Sequence, residues 1–186
     1  MDIIHLPFEL WTLIFELLDI KLQVRLIQLC KTIKDKIFIT DLCNIGYKFK
    51  IKLNGDIIKK YPYIKKLYAG WDSKIEDQNL VGLNLVELDA YNNPKIKKIN
   101  HMTNLRILHA SGDSGIDDDS LVGLNLVKLN ASWNPKIKKI NHMTNLRILN
   151  ASENCGIEDE YLVGLNLVEL KAFYNPKIIK KIDSKK

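Results

Sequence analysis

The chain has 186 residues, 46% of them hydrophobic, a formal net charge of +6 and a pI of about 9.1. That hydrophobic share supports a packed core and excludes a disordered chain, and the length allows one or two small domains. The three cysteines, Cys30, Cys43 and Cys155, have neither C-x-x-C pairing nor metal-site spacing, which excludes a disulfide framework and points to reduced thiols.

The opening Met1-Asp2 has no basic signal-peptide region. The apolar run from Ile3 to Ile20 is broken by Glu9, Glu16 and Asp19, too many carboxylates for a membrane span. The expectation is a soluble intracellular protein. Pro7 suits the first turn of a helix. Leu10, Leu13, Ile14, Leu17 and Leu18 then follow the spacing of one helical face, while Trp11 and Phe15 make a second side apolar. Such a helix must bury two faces, one against its own neighbours and one against a partner. Leu22, Leu26, Leu29, Ile33 and Ile37 are again spaced helically, and no Gly or Pro occurs from Phe8 to Asn44. The segment reads as two or three helices joined by tight turns around Asp19 to Lys21. Fewer than about 40 residues rarely fold alone, so the helices also suit a cap on the larger C-terminal part of the chain.

Leu6-Pro7-x-Glu9-Leu10, then Ile14, Leu17-Leu18-Asp19, then Leu26 and Leu29-Cys30-Lys31 resemble an F-box over residues 4–42. The chain departs from that family at Ile33, where an aromatic is common. The resemblance implies docking on the Skp-type linker of a cullin–RING ubiquitin ligase through Leu6, Pro7, Leu10, Ile14 and Leu17.

Residues 43–61 read as a junction and a degenerate first coil. Lys48 to Leu53 alternates with the period of a half-buried strand, Asn54-Gly55 signals a turn, and Ile58-x-x-Tyr61-x-x-Ile64 matches Ile99-x-x-Met102-x-x-Leu105.

From residue 62 to 186 the template L-x-x-L-x-A-x-x-N governs the chain. It occurs from Leu85, Leu126 and Leu167, 41 residues apart, with near-copies from Ile64, Leu105 and Leu146. These are six coils of 20–21 residues. Each should hold one short strand, such as Glu87 to Tyr91, with Leu88 and Ala90 inside and neighbouring strands parallel, about 4.8 Å apart. The ninth-position Asn can satisfy backbone groups of adjacent coils, and Asp72 and Asp113 in its place remove a donor. The pattern resembles a leucine-rich repeat, with Ala at the family's usual third Leu. The fold class expected is α+β: a short helical F-box-like bundle (1–42), then a parallel-strand leucine-rich-repeat solenoid (62–186).

Glu76-Asp77, Lys97-Lys98, Asp117-Asp118, Lys138-Lys139 and Glu158-Asp159 follow one another at equivalent positions, coil by coil. A nucleic-acid site wants a strip of one sign, so this alternation reads as a ladder of charge pairs that fixes register, and a nucleic-acid partner is not expected despite the pI.

The outward strand residues vary most. Asn93–Leu108 and Asn134–Leu149 are identical, so duplication built the scaffold and the strand faces hold most of the difference. Candidate binding residues for a target protein are Tyr68, Glu87, Asp89, Tyr91, Ile107, His109, Lys128, Asn130, Ile148, Asn150, Glu169, Lys171 and Phe173, with the aromatics and isoleucines as anchors. His101 and His142 occupy one repeat position, a structural role. No phosphate loop, catalytic triad, calcium loop or metal-ligand spacing occurs, so no enzyme activity and no cofactor are expected. At Ile178 to Asp183 the last coil either folds down to cover its apolar edge or pairs with another chain.

The two resemblances together imply a non-catalytic substrate-recognition adaptor of an SCF-type ligase. A stand-alone repeat module whose helices are only a cap is the other reading. In its Ile-, Lys- and Asn-rich style the chain is similar to F-box repeat proteins of large DNA viruses and protists, which implies action inside a host cell.

Overall fold

The computed structural model describes residues 8–29 and 38–179. Leu6, Pro7, Cys30, Lys31, Ile33 and the segment from Lys180 onward lie outside them. Two helices, α1 (Phe8–Leu17) and α2 (Ile20–Leu29), precede a seven-stranded parallel sheet whose strands stand side by side in chain order. The strands are β1 (Asp41–Leu42), β2 (Lys66–Tyr68), β3 (Glu87–Asp89), β4 (Ile107–His109), β5 (Lys128–Asn130), β6 (Ile148–Asn150) and β7 (Glu169–Lys171).

Asp19 makes the turn between the helices. Its Oδ1 accepts from Lys21 N (2.8 Å) and Leu22 N (3.0 Å), as an N-cap does. Gln23 Nε2 closes the other side, donating to Phe15 O (2.8 Å) and Leu18 O (3.1 Å) at the end of α1. A capping Asp therefore makes the turn that a Gly or Pro would otherwise make.

In the sheet Leu67, Leu88, Leu108, Leu129, Leu149 and Leu170 are paired in register, strand to strand. Parallel strands this short are held by their buried faces. Leu67, Leu88, Leu108 and Leu149 have no exposed surface, and Ala69, Ala90, Ala110, Ala131 and Ala151 below them are equally buried. Ile75, Ile96, Ile116, Ile137 and Ile157 close each coil from the far side. Trp11 and Phe15 of α1 join this same core, which also holds Ile39 and Leu42. Burial thins in the coil of β7, where Leu167 and Leu170 are half-buried.

Three expectations need correction. The first strand is not at Lys48–Leu53. Tyr47–Lys50 is a single helical turn, with Phe49 N and Lys50 N both donating to Gly46 O, and the strand is β1, paired Leu42 to Leu67. Alternation over six residues does not distinguish a strand from a turn whose Lys and apolar residues happen to alternate. Ile39-x-x-Leu42 carries the repeat spacing instead.

The second correction concerns the ninth position. Asn93, Asn134 and Asn175 are buried there, but Asp113 and Asn154 are exposed. The coils between turn inward one residue later, on Ser73, Ser114 and Cys155. The Asn side chains therefore do not stack on one another. Each spans to the preceding coil: Asn134 Nδ2 donates to Ala110 O (2.8 Å) and Ile116 O (3.0 Å), and its Oδ1 accepts from Lys136 N (3.0 Å).

Third, Asp77 and Asp118 meet the following lysine dipeptides through their backbone and not charge to charge. Asp77 Oδ1 accepts from the backbone N–H groups of Lys97 (2.7 Å) and Lys98 (2.9 Å), and Asp118 Oδ1 does the same for Lys138 and Lys139 at the same distances. Asp159 Oδ2 accepts from Ile179 N (3.0 Å). The carboxylate caps main chain, which no lysine is needed for. Ion pairs do link acidic to following basic coils, but to lysines outside the basic dipeptides: Lys136 with Asp113 (3.4 Å) and Lys177 with Glu158 (3.1 Å).

Two kinds of contact therefore alternate down the stack. An acidic coil meets the next basic coil through Asn and Asp side chains. A basic coil meets the next acidic coil mainly through backbone, as in Gly115 N to Asn93 O (3.0 Å) and Gly156 N to Asn134 O (3.2 Å), with Asn92 Oδ1 also accepting from Asp113 N (2.7 Å). A Cβ on Gly115 would collide with the carbonyls of Pro94 and Ile96.

Candidate functional site

Two surfaces carry the candidate residues. The first is the outer side of α1. Leu10, Leu13, Ile14 and Leu17 are exposed, Leu17 at 86%, while Trp11 and Phe15 are buried. Helical spacing puts the first four on one side and the latter two on the other. Leu13, which the motif alone does not single out, is 57% exposed and belongs with them. Leu6 and Pro7 lie outside the described residues.

The second surface is the open face of the sheet. Register sets Lys66, Glu87, Ile107, Lys128, Ile148 and Glu169 in one row, and Tyr68, Asp89, His109, Asn130, Asn150 and Lys171 in the next. Between β4 and β7 these residues line a hollow of about 290 Å³ formed by His109, Lys128, Asn130, Ile148, Asn150, Glu169 and Lys171. Charges in the rows are partly satisfied within the face. Lys66 Nζ lies 3.8 Å from Asp41 Oδ2 and 4.0 Å from Glu87 Oε2, and Lys171 Nζ lies 3.1 Å from Glu169 Oε1.

Several candidates have a role inside the fold. Asp89 Oδ1 accepts from Tyr91 N (3.0 Å), Asn130 Oδ1 from Ser132 N (3.2 Å) and Ser132 Oγ (2.8 Å), and Asn150 Oδ1 from Ser152 N (3.2 Å). These side chains hold the turn after each strand, as Asx turns do. Tyr68 is not an exposed anchor. It is buried, donates its hydroxyl to Asp72 Oδ1 (2.6 Å) and lies under Lys50 Nζ, 4.2 Å from the ring centre. Burial and the Asp72 acceptor push its phenol well above the ordinary range. The helical turn at Tyr47–Lys50 covers this end of the face, where a strand would have left it open.

Tyr91 and Phe173 are exposed, and they are not alone. Trp71, Trp133 and Tyr174, the residues next in line after the seventh coil position, are 60%, 59% and 85% exposed. They escape a reading that stops at alternating strand residues. Their signal is the recurrence of an aromatic at the eighth repeat position, just past the last outward strand residue.

Neither described thiol is set up as a nucleophile. Cys43 is driven well above its ordinary value by burial and by the carboxylates of Glu87, Asp41 and Asp89, and Cys155 is pushed up to about 11 by burial. For Cys155 the folded state favours the neutral thiol. The stability this gives is complete below the ordinary value of 9.0 and is lost as pH rises towards about 11. Alkylation of the folded chain at neutral pH, followed by mass spectrometry, should leave Cys43 and Cys155 unmodified until denaturant is added. Rapid labelling of either in the native chain would contradict this packing. Among the described residues no group of three or more His, Cys, Asp or Glu side chains could hold a metal ion, and no helix is long and apolar enough to cross a membrane.

No protein-family model matches the chain, and a search of the curated proteins finds no match either.

Proposed function

We propose that the chain is a non-catalytic substrate-recognition adaptor of an SCF-type ubiquitin ligase, acting inside a cell. In this reading residues 62–186 are a leucine-rich-repeat solenoid whose strand face holds a target protein. The N-terminal helices are an F-box that docks on the Skp-type linker. The adaptor accelerates ubiquitin transfer by holding the target near the transfer site.

The observation that carries the docking half is the division of α1. Its aromatic side packs on the body of the molecule, and its leucine side stands in solvent. Covering exposed apolar side chains is favourable by roughly 25 cal/mol per Å² of apolar surface, so Leu10, Leu13, Ile14 and Leu17 on one helix suit a hydrophobic partner. The cap reading draws on the same helix, since Trp11 and Phe15 are buried in the common core. It gives the outer leucines no task.

Co-purification with a Skp homologue separates the two. The wild-type chain should retain the linker, and Leu13→Asp/Leu17→Asp should abolish retention without lowering the melting temperature, because both side chains already face water. Failure of the wild-type chain to bind would leave the helices as a cap. A double variant that unfolds would show that the leucines pack within the chain.

A further inference from the structure

We propose that the exposed aromatic row at the seventh and eighth repeat positions is a docking strip for a proline-rich, basic peptide segment in polyproline II conformation. The idea rests on the target-binding half of the proposed function, which it sharpens, and is independent of the docking role of α1.

The eighth position runs down the stack as Trp71, Asn92, Gly112, Trp133, Glu153 and Tyr174. The N–H of each of the first five donates to the seventh-position carbonyl of the next coil, for example Trp133 to Ser152 O (3.3 Å) and Glu153 to Phe173 O (2.7 Å). The parallel ladder thus continues past the strand ends, and it sets successive eighth residues about one strand spacing, about 4.8 Å, apart. Trp133 and Tyr174 are two steps apart, about 9.6 Å. A turn of polyproline II is three residues of about 3.1 Å, about 9.3 Å. Two prolines one turn apart would therefore meet Trp133 and Tyr174, while Trp71 stands three coils from Trp133 and lies outside that spacing.

Backbone strain marks the same residues. Trp133 and Tyr174 have φ of 59° and 57°, a region that bulky side chains rarely adopt. Asn92 and Gly112 hold the same turn at 51° and 68° with residues suited to it, and Glu153 holds it at 64°. The turn therefore needs no aromatic, yet two coils keep one there with its ring in solvent. Such outliers gather where a side chain is kept for contact.

Charge narrows the occupant. Glu153 stands between Trp133 and Tyr174, and its carboxylate has no hydrogen bond or ion pair among the described residues. Asp113 and Glu158, by contrast, are paired with Lys136 and Lys177. An unpaired carboxylate between two exposed rings favours a basic residue next to the prolines. It repels the phosphates of a single-stranded nucleic acid, the other ligand that stacks on aromatic rows. Proline also asks for no backbone donor to be satisfied and is already extended, so little entropy is lost on docking.

The test uses the full chain and a peptide of about ten residues, three turns of polyproline II, built as Arg-x-x-Pro-x-x-Pro. Trp11 is buried and Trp71 and Trp133 are exposed, so intrinsic fluorescence reports on the strip. Saturable binding is expected. Trp133→Asn should weaken it at least about tenfold while the chain melts no lower than wild type, since Asn92 already holds this backbone. Tyr174→Asn serves as the second variant, and Glu153→Gln should weaken binding and flatten its salt dependence. Absence of saturable binding by wild type, wild-type affinity in Trp133→Asn and Tyr174→Asn, or preference for oligouridylate over the peptide would each overturn the proposal. Skp capture measured on the same preparations should be unchanged in Trp133→Asn, so failure of the strip and failure of the adaptor reading are told apart.

Discussion

Asn134→Leu should lower the melting temperature by about 8–16 °C, a larger loss than ordinary surface or single-cap changes cause. Asn134 is fully buried. Its amide donates to Ala110 O and Ile116 O and accepts from Lys136 N, three hydrogen bonds between 2.8 and 3.0 Å. Leucine is similar in size and removes all three, leaving two carbonyls and an N–H without partners. Each stranded group costs about 1–3 kcal/mol, and about 4 kcal/mol in total is reasonable after partial relaxation. A chain of this size shifts by about 2–4 °C per kcal/mol. Asn175 makes the same contacts to Ala151 O (2.9 Å) and Ile157 O (3.2 Å), but in a coil whose leucines are only half-buried. Asn175→Leu should therefore cost less. Thermal melting followed by circular dichroism checks both, and a loss of under about 3 °C for Asn134→Leu would mean the spanning amide is not what joins these coils.

Asp118→Ala should cost more than reversing both lysines opposite it. Asp118 Oδ1 holds the main-chain N–H groups of Lys138 and Lys139, in the manner of a cap, which is worth about 0.5–2 kcal/mol per site. With two donors on one carboxylate the expected loss is about 2 kcal/mol, or about 4–8 °C. Lys138→Glu/Lys139→Glu keeps both N–H groups, and exposed charge pairs contribute only about 0–1 kcal/mol. Its expected loss is therefore about 4 °C or less. Melting the two variants side by side decides the matter: a double reversal that destabilises more than Asp118→Ala would restore a true charge ladder. Asp117 and Ser120 form a capping box at the start of the helical turn Asp118–Leu121, and it has its own pH signature. The Ser120 hydroxyl, 2.7 Å from Asp117 Oδ1, holds the Asp117 carboxyl below its usual value. The stability this contributes is present above the unfolded carboxylate range and is lost as pH falls through the lowered folded value.

Some of these features are readable from residue types and others are not. The repeated Leu and Ala positions name their own burial, because an apolar residue at period two on a strand has one place to go. The parallel strands from β2 to β7, in chain order, follow from that periodicity, and the helix turn at Asp19 follows from a capping residue without a Gly or Pro. Alternation misplaces a strand at Lys48–Leu53 because a short alternating run fits a helical turn equally well. Tyr68 is misjudged with it, since that turn brings Lys50 over the ring. The aromatic row at Trp71, Trp133 and Tyr174 lies one residue beyond the alternation, and at Trp133 and Tyr174 the backbone turns left-handed, so side-chain direction no longer follows the strand.

The coil count from Ile64 onward, the inward Leu, Ala and Ile, and the apolar character of both sides of α1 are fixed by residue order alone, since periodicity and composition are local properties. Three features needed the packed molecule: which side of α1 is buried, that Asp77 and Asp118 cap backbone and do not pair with lysines, and that alternate coils turn inward on Ser73, Ser114 and Cys155. Each of those depends on which atoms of a neighbouring coil come within hydrogen-bonding reach, and a distance across the stack is not written in the spacing along the chain.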